Sequence, residues 1–406
     1  MRGFMTKPGV QAIFQEGYAE FERGHPLSRQ AREAAWRLMN CRTAVMGGHV
    51  EFCEEGHFER NHYNSCRHRL CPQCSFAQNQ KWLEFQKERL LECAHYHVIF
   101  TLPHELNALW KTHEKELTNL LFHNASETLR ELLEDSQYLE ASCGWMASLH
   151  TWSRELSLHP HLHVLVTAGG LKEGKWVEKP GEYLLPFGVA RDLFRGKMRA
   201  SLMEKLNDGT LQVPPASTLQ KGLNELNRLG REKWNVKICP KYEYGDGVLI
   251  YLSQYFRGSP VGKGRILSVE EGQVTLKTGR GTDSKVVKFS VETFMSRFLQ
   301  HVPPKSSIRV RSYGLYSNSA RQKSWETARQ LLKQRGISPR KPSKPVLERV
   351  NQKLSEILAT PQACPICGKI LQGRRVDAIR NPAERKERKA KEPGLQEPLE
   401  PLEKAA

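Results

Sequence analysis

The sequence predicts an α+β fold: a small N-terminal zinc-binding module, an antiparallel sheet with helices packed on it, and accessory C-terminal segments. Three observations predict it. Five of the ten cysteines fall between Cys41 and Cys74, among His49, His57, His62 and His68, a density that reads as zinc in a reducing compartment rather than disulfides. Strand-like runs at 95–103, 145–152 and 162–168 alternate with long helical runs, and the short link between the last two suggests a hairpin. The chain of 406 residues is 39% hydrophobic, enough for a sizeable core. Its 62 Lys and Arg exceed its 44 Asp and Glu, for a net charge of +18. That excess points to a polyanionic partner, nucleic acid before a membrane surface. No apolar run reaches the roughly 18 residues of a membrane span, and the opening MRGFMTKPGVQ lacks the apolar stretch of a secretory signal. A cytoplasmic, nucleoid-associated protein is expected.

Along the chain, residues 9–40 carry helical periodicity through Ile13, Phe14, Tyr18 and Phe21, with a second helix through 34–39. The Cys/His-rich stretch 41–77 is weakly periodic. A helix follows at 78–92, then the strand HYHVIFTLP ended by Pro103, then helix over 105–136. The second hairpin strand is expected to end at Gly169-Gly170. Helices are expected at 188–206 and 217–233, a β-meander at 263–289, and helices at 291–300, 318–335 and 343–358. From Arg374 onward the tail runs from basic to acidic and reads as disordered. The domain boundaries that follow are 1–92 for the N-terminal helices and zinc module, 93–260 for the catalytic sheet, 261–360 for accessory segments, and 361–406 for a knuckle and tail.

Within the cysteine-rich stretch, Cys71-x2-Cys74 forms a knuckle whose two thiolates reach one ion. Cys53 and His57 have suitable spacing to complete a tetrahedron. Cys66 and Cys41 are spare thiols that could replace a ligand or help build a second site. Cys364-Pro-Ile-Cys367 is a further knuckle with no Cys or His after it, half a site that needs distant residues or a second chain.

The segment LHPHLHVLVTAGG places His159, His161 and His163 at period two, on one face of a strand. Two neutral imidazoles so placed can bind a divalent ion, Mg²⁺ or Mn²⁺, that polarises a phosphate. His150 on the preceding strand is the preferred third ligand, ahead of Glu155 and His97. Tyr251 and Tyr255 stand four apart, on one face if the segment is helical. Alone they would be read as half-buried aromatics; beside a metal-bound phosphate each is a candidate covalent nucleophile. From Lys305 to Lys344 there are eleven Lys and Arg against one acidic residue, Glu326. Arg309, Arg311, Arg321 and Lys323 are candidate phosphate contacts, and Tyr313, Tyr316 and Trp325 could stack on unpaired bases.

The order HPHLH, apolar strand, YxxxY and basic module resembles the two-tyrosine HUH rolling-circle transposases of the IS91 type. NSCRHRLCPQC, VIFTLPHEL, LHTW and HVPPKSSIRVRSYGLYSN add to the resemblance, which covers about 40–320. It implies an HUH endonuclease-like antiparallel sheet. His161 and His163 would bind the catalytic metal, and Tyr251 and Tyr255 would cleave single-stranded DNA to give 5′-phosphotyrosine. Element ends and target DNA would be the substrates. No ATP-binding motif is present, so unwinding would fall to a host helicase. The family's Cys-x2-Cys is replaced here by CEEGH, and Leu70 stands where a His usually precedes CPxC. A replication initiator or relaxase would share the chemistry, and a zinc-dependent DNA-binding regulator would share only the binding.

Overall fold

A computed structural model describes residues 9–75, 82, 86, 89–178, 181, 184–215, 217–242, 259–262, 264–279, 284–317, 323–334 and 363–378. In chain order, α1 is Val10–Gly24, α2 Arg29–Met39, β1 Gly48–Phe52, β2 Glu59–Tyr63 and β3 His95–Thr101. Next come α3 Asn107–Thr112, α4 Glu114–Glu134, β4 Ser142–Trp152, β5 Leu158–Lys172 and β6 Lys175–Glu178. Then follow α5 Phe187–Asn207, α6 Leu219–Leu229, β7 Val236–Ile238, β8 Ile266–Glu270, β9 Gln273–Thr278 and β10 Lys285–Ser290. The last elements are α7 Val291–Leu299, β11 Val310–Gly314, α8 Ser324–Gln334 and β12 Gln372–Val376. The α+β class expected from the sequence is observed, with antiparallel sheets throughout.

The central sheet has the order β11-β4-β5-β3-β7, with β6 continuing beside the end of β5. Its two faces differ by the period-two rule. Tyr96, Val98 and Phe100 of β3, Ala147 and Leu149 of β4, and Leu162, Val164 and Val166 of β5 point one way. They pack on Leu121, Phe122 and Leu129 of α4 and Phe194, Met198 and Leu202 of α5. On the other face, Met146 and Leu165 pack with Leu315, Tyr316, and Ala328 and Leu332 of α8. That helix covers one end of the second face; the histidines occupy the other.

Several expectations are corrected. The two helices expected within 9–40 are observed, but the second starts at Arg29 rather than near 34, where the Ser28 hydroxyl caps it by accepting from the Ala31 N–H at 3.1 Å. Strand β5 does not end at Gly169-Gly170 but runs on to Lys172 and pairs with β6. These glycines serve close approach instead: a Cβ on Gly169 would lie 2.5 Å from the Val177 carbonyl, and one on Gly170 2.7 Å from that of Ser142. Residues 310–314 of the basic stretch form an edge strand on β4, with Val310 opposite Ser148. Residues 379–406 lie outside the described residues; residues 374–376, the start of the tail read as disordered, instead belong to β12, which pairs antiparallel with β1 and sets Arg374 opposite Val50 and Arg375 opposite His49. Its alternative to solvent is an open sheet edge with unpaired backbone groups. The helix expected at 343–358, most of that at 78–92, and the segment 249–256 lie outside the described residues.

The expected meander is β8-β9-β10, and it leads into α7 through the Ser290 cap. Ile13, Phe14 and Phe21 of α1, Val274 and Leu276 of β9, and Phe294 and Phe298 of α7 share one core with Cys66 and Cys71. The cysteine-rich region is therefore packed against the accessory β-segment.

Candidate functional site

The hairpin β4–β5 and strand β3 build the histidine cluster. His150 stands directly opposite His161 across the hairpin, and His163 stands opposite Ser148 on one side and Ile99 on the other. All three imidazoles thus fall on the face away from α4 and α5. One nitrogen from each lies within 4.8 Å of the others. They are 4%, 9% and 5% exposed for His150, His161 and His163, so a ligand would be held in a largely dehydrated pocket rather than on the surface.

The hydrogen bonds orient the rings. His161 Nδ1 lies 2.6 Å from the His159 carbonyl, which fixes the proton on Nδ1 and leaves Nε2 as an electron-pair donor. His163 Nδ1 lies 2.8 Å from His97 Nε2, and His97 Nδ1 lies 3.9 Å from Cys239 Sγ. Two proton orders satisfy this chain: Cys239 donating to His97, His97 to His163 and the His163 Nε2–H to the His161 Nε2 lone pair at 3.1 Å, or the reverse, with His97 donating to sulfur and His163 Nδ1 donating to His97. In the second order the Nε2 lone pairs of His161 and His163 both face the centre of the cluster, and a bound cation would select it. Protonation is disfavoured: burial pulls His161 and His97 down to about 4 and His163 well below its ordinary value. The donor set therefore fits a divalent ion. Trp152 stacks on His150 at 4.6 Å and holds its ring against the other two.

Among the candidates for a third position, His150 joins the pair. His97 stands behind His163 rather than beside the convergent nitrogens. Glu155 is exposed in the hairpin turn, and its backbone N–H donates to Ser153. His97 as an outer partner was not anticipated; its period-two placement in HYHVIF was the available signal. Tyr251, Tyr255 and Arg321 lie outside the described residues.

The cysteines regroup. Cys71 and Cys74 meet Cys41 and Cys66, not Cys53 and His57. Sulfur separations are 3.5 Å for Cys41–Cys74, 3.6 Å for Cys66–Cys74 and 3.6 Å for Cys41–Cys71. A tetrahedron with metal–sulfur bonds of about 2.3 Å has edges of about 3.8 Å, so the cluster is close to the size of a four-thiolate zinc site. Thiol donors from Cys41, Cys66 and Cys71 hold Cys74 far toward thiolate. The grouping expected from spacing fails because α2 delivers Cys41 to the knuckle, while Cys53 lies at the far end of β1. Cys53 and His57 instead face Cys364 and Cys367.

The basic candidates also divide. Arg309 is 4% exposed and paired with Glu114 at 2.6 Å between the sheet edge and α4. Burial lowers its value while the Glu114 charge opposes this. Its charge is used inside the protein, which corrects its reading as a phosphate contact. Arg311 donates to Asn119 and lies over the Phe122 ring at 4.4 Å. Lys323 is exposed just before α8. Tyr316 is buried and bonded to His95 at 2.8 Å, and Tyr313 is half-buried against Trp145, so neither is a free stacking platform. No helix among the described residues is long and apolar enough to cross a membrane.

Two family models match the chain: "Transposase zinc-binding domain", of the IS91 type, over residues 13–102, and "Putative transposase" over residues 144–324. A protein of Sinorhizobium fredii named "Putative transposase y4qJ" is 34% identical over 376 residues, covering 89% of this chain and 93% of the relative. The transposase for insertion sequence element IS801 of Pseudomonas savastanoi pv. phaseolicola is 27% identical over 304 residues, 70% of each chain. No solved structure matches.

Proposed function

Since the chain belongs to the transposases of the IS91 type, we propose that it cuts and rejoins single DNA strands at element ends through a tyrosine. The observation that carries this reading is the convergence of His150, His161 and His163 on one face of the central strands. The matched region 144–324 contains all three, and also Tyr251 and Tyr255.

A divalent cation on the three imidazoles would neutralise charge on the scissile phosphate. An all-imidazole set ranks a transition-series ion such as Mn²⁺ above Mg²⁺. The His159 carbonyl keeps His161 in one tautomer, and His97 orients the His163 ring. The phenol oxygen of Tyr251 or Tyr255 attacks phosphorus in line, the bond to the 3′ oxygen breaks, and the phenolic proton ends on the freed 3′-OH. The product is a 5′-phosphotyrosine that conserves the bond energy, so no nucleotide cofactor is consumed. The second tyrosine permits a second cut before the first link is resolved. Attack by a new 3′-OH on phosphotyrosine reverses the step and joins strands. This is a rolling-circle route, with unwinding left to a host helicase, and it places the work on cytoplasmic, nucleoid DNA. Structural zinc is assigned to Cys41, Cys66, Cys71 and Cys74.

The test is a denaturing gel of protein with labelled single-stranded element ends and Mn²⁺. A covalent adduct is expected, with DNA mapped to residue 251 or 255. Tyr251→Phe and Tyr255→Phe should each keep some cleavage but fail in complete transfer, and the double variant should form no adduct. An adduct on Tyr242 or Tyr244 would refute the assignment of the nucleophile. Tight binding with no adduct would favour a DNA-binding regulator.

A further inference from the structure

Cys364 and Cys367 lie beyond both matched regions, and the function above does not use them. We propose that they form a second zinc site with Cys53 and His57, a Cys₃His centre that fastens the C-terminal knuckle to the N-terminal module. One ligand atom from each of the four lies within 4.8 Å of the others. Cys53 Sγ is 3.5 Å from Cys367 Sγ and 3.9 Å from His57 Nδ1. Those separations bracket the edge of about 3.8 Å expected for a tetrahedral zinc–thiolate site, and 3.5 Å is far beyond a sulfur–sulfur bond.

The two halves are built alike, which argues against a chance meeting. In the first, the Cys53 N–H donates to the Phe58 carbonyl at 2.8 Å and the Gly56 N–H donates back to Cys53 at 2.9 Å. In the second, the Cys364 N–H donates to the Lys369 carbonyl at 2.8 Å and the Gly368 N–H donates back to Cys364 at 2.9 Å. Gly56 and Gly368 adopt φ of +73° and +71°, the left-handed turn that a knuckle needs. Each turn leads into a strand of one sheet, β12-β1-β2. Lys369 pairs with Glu55 across the gap between the turns.

Cys53 and Cys367 are separated by 314 positions. The cost of closing a loop rises only as the logarithm of its length, and a metal at the junction would add its binding free energy to that of the five-residue pairing of β12 with β1. The site would therefore decide whether β12, with Arg374 and Arg375, is held on the N-terminal module. The replacement of a second cysteine by His57 in CEEGH then changes the donor type without losing the ligand.

Elemental analysis of full-length His161→Ala, His163→Ala protein purified with reductant, the parent protein here because its histidine cluster cannot take zinc, should find about two zinc ions per chain. The double variant Cys364→Ser, Cys367→Ser should hold one, and trypsin should then cut at Lys369, Arg374 and Arg375, sites protected in the parent protein. His57→Cys should keep both metals yet shift the thiolate charge-transfer bands of cobalt-substituted protein toward a four-sulfur pattern. The parent protein holding one zinc would overturn the proposal. So would a serine double variant that keeps both, or a cobalt spectrum that His57→Cys leaves unchanged. DNA cleavage is not part of this readout, so failure here leaves the proposed nuclease reaction standing.

Discussion

The cysteine cluster gathers four buried thiols and the histidine cluster three buried imidazoles, and the two rest on different supports. Cys41 follows the end of α2, Cys66 and Cys71 lie in irregular chain, and Cys74 lies in the helical residues 72–75. His150, His161 and His163 sit on the two longest strands of a sheet whose opposite face is packed by α4 and α5. In the first, metal would hold the backbone in place. In the second, the backbone already holds the ligands, and a metal would add chemistry. Loss of a ligand should thus cost folding in one region and reactivity in the other.

The largest effect is expected where metal and fold are inseparable. Cys71→Ser with Cys74→Ser should release zinc and unfold the module, and the shared core with α1 and α7 should make the loss several kcal/mol, on the order of 5. Circular dichroism melts with metal analysis would check this; unchanged melting after zinc loss would break the comparison. Next, His161→Ala with His163→Ala should abolish strand cleavage while DNA binding and melting temperature change little, since phosphate contacts lie elsewhere. Undiminished cleavage would remove these histidines from the chemistry. A smaller effect is expected from His97→Ala, which deletes the partner of His163 Nδ1 at 2.8 Å. Metal affinity should fall roughly 10–100-fold, with cleavage restored at higher Mn²⁺; loss that excess Mn²⁺ cannot restore would make His97 more than an orienting group.

The pH dependence is the mildest test. Burial lowers His95 and His301 from 6.5 to about 4. Between those values the unfolded chain holds a proton that the folded chain does not. Stability should then be full above pH 6.5 and decline as pH falls toward 4, by on the order of 3 kcal/mol per histidine at most. Denaturant titrations at pH 7 and 5 would measure it, and a flat profile would mean that these histidines stay solvated.

Local pattern made most of the central sheet legible. Period-two alternation in HYHVIF and LHVLV placed the strands, and it put His161 and His163 on one face with no knowledge of the rest of the chain. The spacing of Cys71 and Cys74 likewise specified a knuckle. What local pattern could not carry was partnership across the chain. Cys53 at CEEGH looked like the natural complement of CPQC because it was near in sequence, yet β1 carries it away from that knuckle and toward residues more than three hundred positions later. Gly169-Gly170 resembled a strand end because glycine breaks strands on average; here neighbouring backbones crowd the position, and only glycine fits. Arg309 looked like a DNA contact because its neighbours are basic, but the chain just before the edge strand turns it inward onto Glu114. By itself, then, the sequence determined the donor types, the strand faces and the family. The tertiary structure decided which thiols meet, which arginine is spent internally and which histidine orients another. Backbone periodicity is set by nearest neighbours, whereas ligand geometry is set by where distant strands pair.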